Sequence, residues 1–406
     1  MRYLIPHVFT TAWSFFCATL PALLLYPLGF QYLESSEFIF LLQTFALLGF
    51  ASFAQLGIPV QATKALVNGS YGGMAADLIA ISMSSMIVAI ASISYLIVFS
   101  DYAFNWIALS SFACVIVLKN ILSLFSQLWS GLGFIAFDKG LINPINNLSV
   151  PIAAFSAYLW SGTLDGMFVS AFVILLAVCG IFGFDLVRRV PWITAETPRP
   201  TGIWLGDSMR YFFVNLTGSI VFVGSVLVVS SLTSADFSKL FLAIFKFMSL
   251  PLAILSTGLA VIFPLFVRGD FVSVFKALNL ASLSLIILLS LIAMGCYGFL
   301  LHLVWPMLGL DAVLSLEGYT NFMVVISAYT ALKAIVQIFV VCLVSGQMDN
   351  YKTWIILNCA EIFAVFFGWF VLASVGLEVY FWAPVLVGGI ISVYGYSRQM
   401  IGRSTE

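Results

Sequence analysis

Apolar runs of membrane-spanning length follow one another along almost the whole chain. A spanning helix needs about 20 mainly apolar residues. Twelve stretches meet that need, at 5–32, 36–66, 75–100, 105–133, 141–161, 165–189, 208–232, 235–267, 272–302, 320–346, 352–376 and 380–400. Of the 406 residues, 62% are hydrophobic and 8% charged; soluble domains average about 25% charged. The expectation is an all-α polytopic membrane protein of 12 transmembrane helices, with the lipid bilayer as its surroundings. The fifth run opens Leu141-Ile142-Asn143-Pro144-Ile145-Asn146-Asn147, which marks a late-starting or cavity-lining helix. Gly57 and Pro59 interrupt the second run, and Pro251 and Pro264 the eighth, so both are candidates for bends.

Basic residues set the expected orientation. With the N-terminus inside, the cytoplasmic set is Arg2, Lys64, Lys139, Arg188, Arg189, Arg199, Arg210, Arg268, Lys276, Lys352, Arg398 and Arg403, twelve of the sixteen Lys and Arg. The outer loops then carry only acids, among them Glu34, Glu37, Asp101, Asp165, Asp236, Asp311, Glu317 and Glu378. Both termini are therefore expected in the cytoplasm, with the first run a retained helix and not a signal peptide, since no AxA-type cleavage site follows it. The proline-bearing stretch 191–207 reads as a cytoplasmic linker between two six-helix bundles, 1–190 and 208–406. Six is even, so the halves enter the membrane in the same direction and parallel repeats are allowed. Leu-Lys-x-Ile recurs at 118 and 332, Glu37-Phe38 is echoed by Asp236-Phe237, and Asp138 and Asp349 each lie nine residues before an asparagine.

The other four lysines, Lys119, Lys239, Lys246 and Lys333, fall inside the predicted helices. A lysine at the centre of a membrane helix costs roughly 2.5–3.5 kcal/mol on insertion scales. Lys119, Ser123, Ser126 and Ser130 are spaced 4, 3 and 4 apart and form one helical stripe; Tyr329, Lys333 and Gln337 form another. Such stripes are expected to face a water-filled cavity. The functional reading is a cationic cavity for an anionic substrate, built on Lys119, Lys246 and Lys333 with Lys239, and lined by Ser123, Gln127, Asn147, Gln337 and Asn358. The bland reading pairs Glu361, the one comparably deep acid, with one lysine as a bridge between helices, lets Lys239 snorkel to the surface, and spends the amides on interhelical hydrogen bonds of about 0.6 kcal/mol each. Glu361 and Asp77 are the acids suited to ion coupling. Trp13, Trp129, Trp160, Trp305, Trp354 and Trp382, near predicted helix ends, read as interface anchors.

Other chemistries find little support. A net charge of −1 offers nucleic acid no basic face. The six cysteines are scattered singly, and His7 and His302 stand far apart, so neither a disulfide framework nor a metal site is expected. No cofactor motif, GxSxG element or Walker lysine is present, and Gly69-Ser70-Tyr71-Gly72-Gly73 reads as a turn. The chain is thus not expected to be an enzyme or to hydrolyse ATP.

The segment Leu33-Glu34-Ser35-Ser36-Glu37-Phe38, the helix ending Gln55-Leu56-Gly57-Ile58 and the exit Ala62-Thr63-Lys64 resemble the opening of the polysaccharide exporters and flippases. That family shows a G-x-x-x-F/Y-G entry to helix two, then D-x-G and a basic A-T/x-R exit. Here Ile39 stands in place of the glycine, Gln55 where an acid is frequent and Lys64 where arginine is usual. Asn215-Leu216 and Ala235-Asp236-Phe237 open the second half similarly. By size and layout the chain resembles the Wzx-type O-antigen flippases of the multidrug/oligosaccharidyl-lipid/polysaccharide superfamily. The resemblance implies a MATE-like fold with two bundles in a V around a central cavity, in the bacterial inner membrane. It further implies alternating-access transfer of undecaprenyl pyrophosphate-linked oligosaccharide to the periplasmic leaflet for lipopolysaccharide biosynthesis, with a polysaccharide polymerase and chain-length regulator as partners. A MATE-type drug/cation antiporter is the alternative, though a cation exporter calls for deep acids. An O-antigen polymerase or ligase is disfavoured because the longest outer loop, 303–319, holds no Arg or Lys.

Overall fold

A computed structural model describes residues 28–67, 73–100, 105–134, 137–161, 166–189, 220–267, 280–308, 310–315, 318–345 and 351–403, with short pieces within 10–17, at 164 and at 212–213. Most of the first predicted run and the linker expected at 191–207 lie outside the described residues. The regular structure described is helical throughout. In chain order the helices are α1 (Ser35–Ala51), α2 (Ile58–Val67), α3 (Met74–Phe99), α4 (Trp106–Gly131), α5 (Asn143–Ser161) and α6 (Met167–Arg189). These are followed by α7 (Ile220–Leu232) and by α8 (Ala235–Val267), α9 (Leu280–Val304), α10 (Tyr319–Ser345), α11 (Tyr351–Ser374) and α12 (Trp382–Arg403). Among the described residues, eight helical segments are long and apolar enough to cross a membrane. Their outer faces are greasy: α3 alone exposes Ile79, Met83, Ile87 and Ile90. An apolar surface on that scale belongs against lipid and not water.

The chain divides into two compact units, Met1–Leu25 with Ser36–Leu216, and Tyr26–Ser35 with Thr217–Glu406. Each unit has a hub helix. In the first, α4 packs against α2, α3, α5 and α6; in the second, α10 packs against α8, α9 and α12, and α11 lies on α12. The α11–α12 crossing is close because glycines replace side chains there. A Cβ at Gly368 would come within 2.4 Å of Pro384, and one at Gly395 within 2.3 Å of Leu357.

The second predicted run is broken. After α1 the chain tightens into a 3-10 turn, Ser52–Gln55, and passes through two left-handed residues, Leu56 (φ 53°) and Gly57 (φ 72°), before α2 begins. Leu56 is the one non-glycine residue with positive φ among the described residues. Backbone freed from a helix at membrane depth must be satisfied by protein or face water. Here protein does it. Asn120 of α4 donates through Nδ2 to the Ala51 carbonyl (2.8 Å) and to Ser85 Oγ (2.9 Å), and its Oδ1 accepts from Gln55 Nε2 (3.0 Å). Ser84 of α3 donates to the Ala54 carbonyl, and Thr63 of α2 donates to the Gln127 carbonyl (3.1 Å). The eighth run, despite Pro251 and Pro264, stays one helix. A π-helical turn, Asp138–Ile142, leads into the fifth run, whose polar start, Asn143, Asn146 and Asn147, forms the first turns of α5.

Three of the expected interface tryptophans are corrected by the structure. Trp160 is 94% exposed and fits the anchor reading, but Trp129, Trp305 and Trp354 are buried. Trp305 donates its indole N–H to Tyr319 Oη (2.7 Å) and sets its ring edge-on to Phe247. Position near a helix end does not decide which way an indole points; in Trp305 a partner for the N–H let the ring enter the core.

Asn120 gives the first prediction. Asn120→Ala would leave the Ala51 carbonyl and the Gln55 amide without their partner, at about 1–3 kcal/mol for buried polar groups. Thermal unfolding of the purified protein in detergent should show a fall in Tm of several degrees, and an unchanged Tm would contradict the role assigned to this amide.

Candidate functional site

The deep lysines lie where the hub helices put them. Lys119 is near the middle of the 26-residue α4 and Lys333 near the middle of the 27-residue α10. Lys246 lies eleven residues into α8, about 16 Å along the helix axis at 1.5 Å per residue. Their environments differ sharply.

Lys333 is a paired charge. It is 3% exposed, and its ammonium donates to Glu361 Oε2 at 2.6 Å, with Glu361 itself 1% exposed. Tyr329, one turn earlier on α10, donates its hydroxyl to Glu361 Oε1 (2.9 Å), and Ser392 of α12 donates to Oε2. The carboxylate thus takes one hydrogen bond from an ammonium and two from hydroxyls, contributed by two neighbouring helices. Gly388 and Gly389 allow the approach: a Cβ at 388 would stand 3.0 Å from Glu361 Cγ, and one at 389 would stand 2.9 Å from the Tyr329 ring. Of the two readings the sequence left open for Glu361, the geometry matches the bridge between helices. Three donors from two neighbouring helices hold this carboxylate in place, which suits a bridge between them.

Lys119 and Lys246 have other surroundings. Among the described residues neither makes an ion pair. Lys119 rests its Nζ on the backbone carbonyl of Asn146 in α5. Lys246 rests its Nζ on the carbonyl of Phe222 in α7, at 3.4 Å. Each unit therefore holds one deep cation whose protein partner is the carbonyl of a neighbouring helix. Lys239, near the start of α8, sets its ammonium 4.6 Å from the centre of the Phe30 ring, a cation–π contact near a helix end.

The serine stripe of α4 turns toward protein. Ser123 donates to Gln55 Oε1 (3.3 Å), while Ser126 and Ser130 both donate to Asp138, which is fully buried. Gln127 and Asn147 are half-buried, and no hydrogen bond of their side-chain amides is present among the described residues. Gln337 is half-buried on α10 and Asn358 buried on α11, each engaged by other groups. Asp77 is 1% exposed in the first turn of α3, where the helix N-terminus favours a carboxylate. Sequence reasoning passed over Tyr329 and Ser392 as partners of Glu361 and Asn146 as the partner of Lys119. Only Tyr329 left a trace, through its place on the Lys333 stripe. The described residues hold no cluster of His, Cys, Asp and Glu able to bind a metal ion, and Cys17, Cys114, Cys179, Cys296 and Cys359 are free thiols.

No protein-family model matches the sequence, and no curated protein matches it significantly. Two solved structures share its fold. One is the Vibrio cholerae MATE transporter VcmN carrying an aspartate-to-asparagine mutation, with a TM-score of 0.61, 11% identity and 98% of each chain covered. The other is VcmN in its bent form, with a TM-score of 0.55, again at 11% identity over 98% of each chain. The chain therefore has a MATE-like fold.

The Lys333–Glu361 pair makes the second prediction. Removing one partner of a buried pair costs about 3–5 kcal/mol, whereas replacing both with neutral groups is often tolerated. Lys333→Met should lower Tm strongly. Lys333→Met combined with Glu361→Gln should recover much of the loss. A Lys333→Met protein as stable as wild type would contradict the pairing.

Proposed function

We propose that the chain is an alternating-access membrane transporter for an anionic lipid-linked saccharide: an undecaprenyl pyrophosphate-linked oligosaccharide, O-antigen or a related unit, moved from the cytoplasmic to the periplasmic leaflet of the bacterial inner membrane. Twelve spans and cytoplasmic termini belong to the same reading. The observation that carries it is the pair of deep lysines, Lys119 and Lys246, one in each unit, that no carboxylate compensates among the described residues. An uncompensated ammonium at this depth is costly to keep. A pyrophosphate offsets that cost through charge-assisted hydrogen bonds. Gln127 and Asn147, with half-buried amides, supply polar contacts for sugar. Lys333 and Glu361 hold the C-terminal unit together and act on transport through its stability. The polysaccharide polymerase and chain-length regulator are the proposed partners.

A drug/cation antiporter is the second reading, favoured by the MATE transporters that share the fold. The sign of the unpaired charge separates the two readings, because a lysine repels the cation such a transporter carries.

The test uses cells lacking this gene with the pathway's glycosyltransferases intact, followed by assignment of undecaprenyl-linked saccharides to a leaflet. Repeat units trapped on the cytoplasmic face support the flippase. Unchanged pools with altered drug sensitivity favour the antiporter. In complemented cells, the Lys119→Ala and Lys246→Ala double variant should lower transfer by about 10- to 100-fold, the equivalent of one or two lost hydrogen bonds to charge. The corresponding arginine variants should retain more activity, since they keep the charge. Normal surface polysaccharide in the double alanine variant, at matched expression, would overturn the assignment of these lysines.

A further inference from the structure

The surroundings of Lys119 have chemistry that anion binding alone does not use. Its ammonium donates to the Asn146 carbonyl, which also accepts from Ser149 Oγ (3.2 Å). The side-chain oxygen of the same asparagine, Oδ1, is buried and has no hydrogen-bond partner among the described residues. One residue on, the Asn147 carbonyl is deprived of its helical donor, because the residue four positions later is Pro151, within α5, and proline has no N–H. Asn143, one turn before Asn147, is occupied by Ser14, whose Oγ accepts from Asn143 Nδ2 at 2.7 Å. Among the described residues, the head of α5 therefore carries a side-chain oxygen without a donor and a carbonyl without its helical N–H, next in sequence to the carbonyl that Lys119 holds.

Resting on the lipid-linked saccharide reading, we infer that Lys119 and the Asn146–Asn147 turn of α5 form a subsite in the N-terminal unit for a sugar bearing a phosphate: the phosphate oxygens meet the Lys119 ammonium, and the sugar's hydroxyls donate to Asn146 Oδ1 and the Asn147 carbonyl. The two needs lie side by side in the ligand as they do in the protein. A bare anion would leave Asn146 Oδ1 unsatisfied, a neutral sugar would leave the ammonium without a counter-charge, and a cation would meet Lys119 head-on. On binding, the ammonium exchanges the Asn146 carbonyl for a phosphate oxygen. A soluble sugar phosphate and a membrane-anchored one offer the same chemistry, so the test separates them.

The full-length protein in nanodiscs is assayed for retention of four probes: undecaprenyl pyrophosphate carrying one hexose, bare undecaprenyl pyrophosphate, glucose 1-phosphate and inorganic phosphate. Wild type should prefer each sugar-bearing probe over its bare counterpart. Asn146→Ala should shrink that preference about tenfold, the worth of one or two hydrogen bonds, while the bare probes bind as before. Lys119→Ala should weaken every probe. Because Asn146 Oδ1 has no partner among the described residues, Asn146→Ala should leave Tm unchanged or slightly raised. An unchanged preference in Asn146→Ala, an equal loss of bare and sugar-bearing probes, or a Tm lowered by several degrees would each overturn the subsite. Asn146-dependent retention of glucose 1-phosphate without either lipid would uphold the subsite and overturn the lipid-linked reading. Retention of no probe by wild type would overturn both.

Discussion

In a protein surrounded by hydrocarbon, a polar group away from the surface must be satisfied by protein, by trapped water or by what the protein binds. This constraint orders the structure more than any helix propensity does. Where the α-helix ends at Ala51, the amide of Asn120 and the hydroxyl of Ser84 take over carbonyls that water would otherwise serve. Where a carboxylate is placed in the C-terminal unit, at Glu361, donors arrive from the two helices beside it. Glycines at 388 and 389 let those helices come close enough to deliver them.

Against that regularity the exceptions carry the functional information. Lys333 obeys the rule: its charge is matched, and its burial follows. Lys119 and Lys246 obey it only halfway, since a backbone carbonyl accepts a hydrogen bond but does not cancel a unit charge. Lys119 and Lys333 also show that sequence echo does not mean shared role. Both lie within Leu-Lys-x-Ile on the hub helix of their unit. Yet the neighbour offered to Lys333 is a glutamate on α11, and the neighbour offered to Lys119 is the asparagine turn of α5. What differs is the partner helix and not the helix bearing the lysine.

This difference marks how far the sequence could be read. Helix positions were legible because a run of apolar residues encodes insertion directly, and the positions of α3, α4 and α6 agree with their runs to within a few residues. The break in the second run was signalled by Gly57. The left-handed turn at Leu56 was not, because a leucine adopts it only when tertiary contacts compel it. Burial of Trp305 was hidden because the helix before it is largely apolar all round, whereas Trp354 shares its buried stripe with Asn358 and Glu361, a polar face that marks the core side of α11. The serine stripe of α4 was legible as a stripe, but its destination was not. Whether a polar face looks onto water or onto another helix depends on the neighbour, here the buried Asp138.

The likeness to MATE transporters bears on this last point. At 11% identity two chains can share a path through the membrane while sharing few side chains along it. The fold then fixes where helices run, and with them which backbone positions lie deep. It does not fix the sign of the charge at those positions, which belongs to the sequence. Among the described residues no carboxylate meets Lys119 or Lys246, and the proposal of an anionic substrate rests on those two side chains. Substrate class follows from side chains that a comparison of backbones does not see.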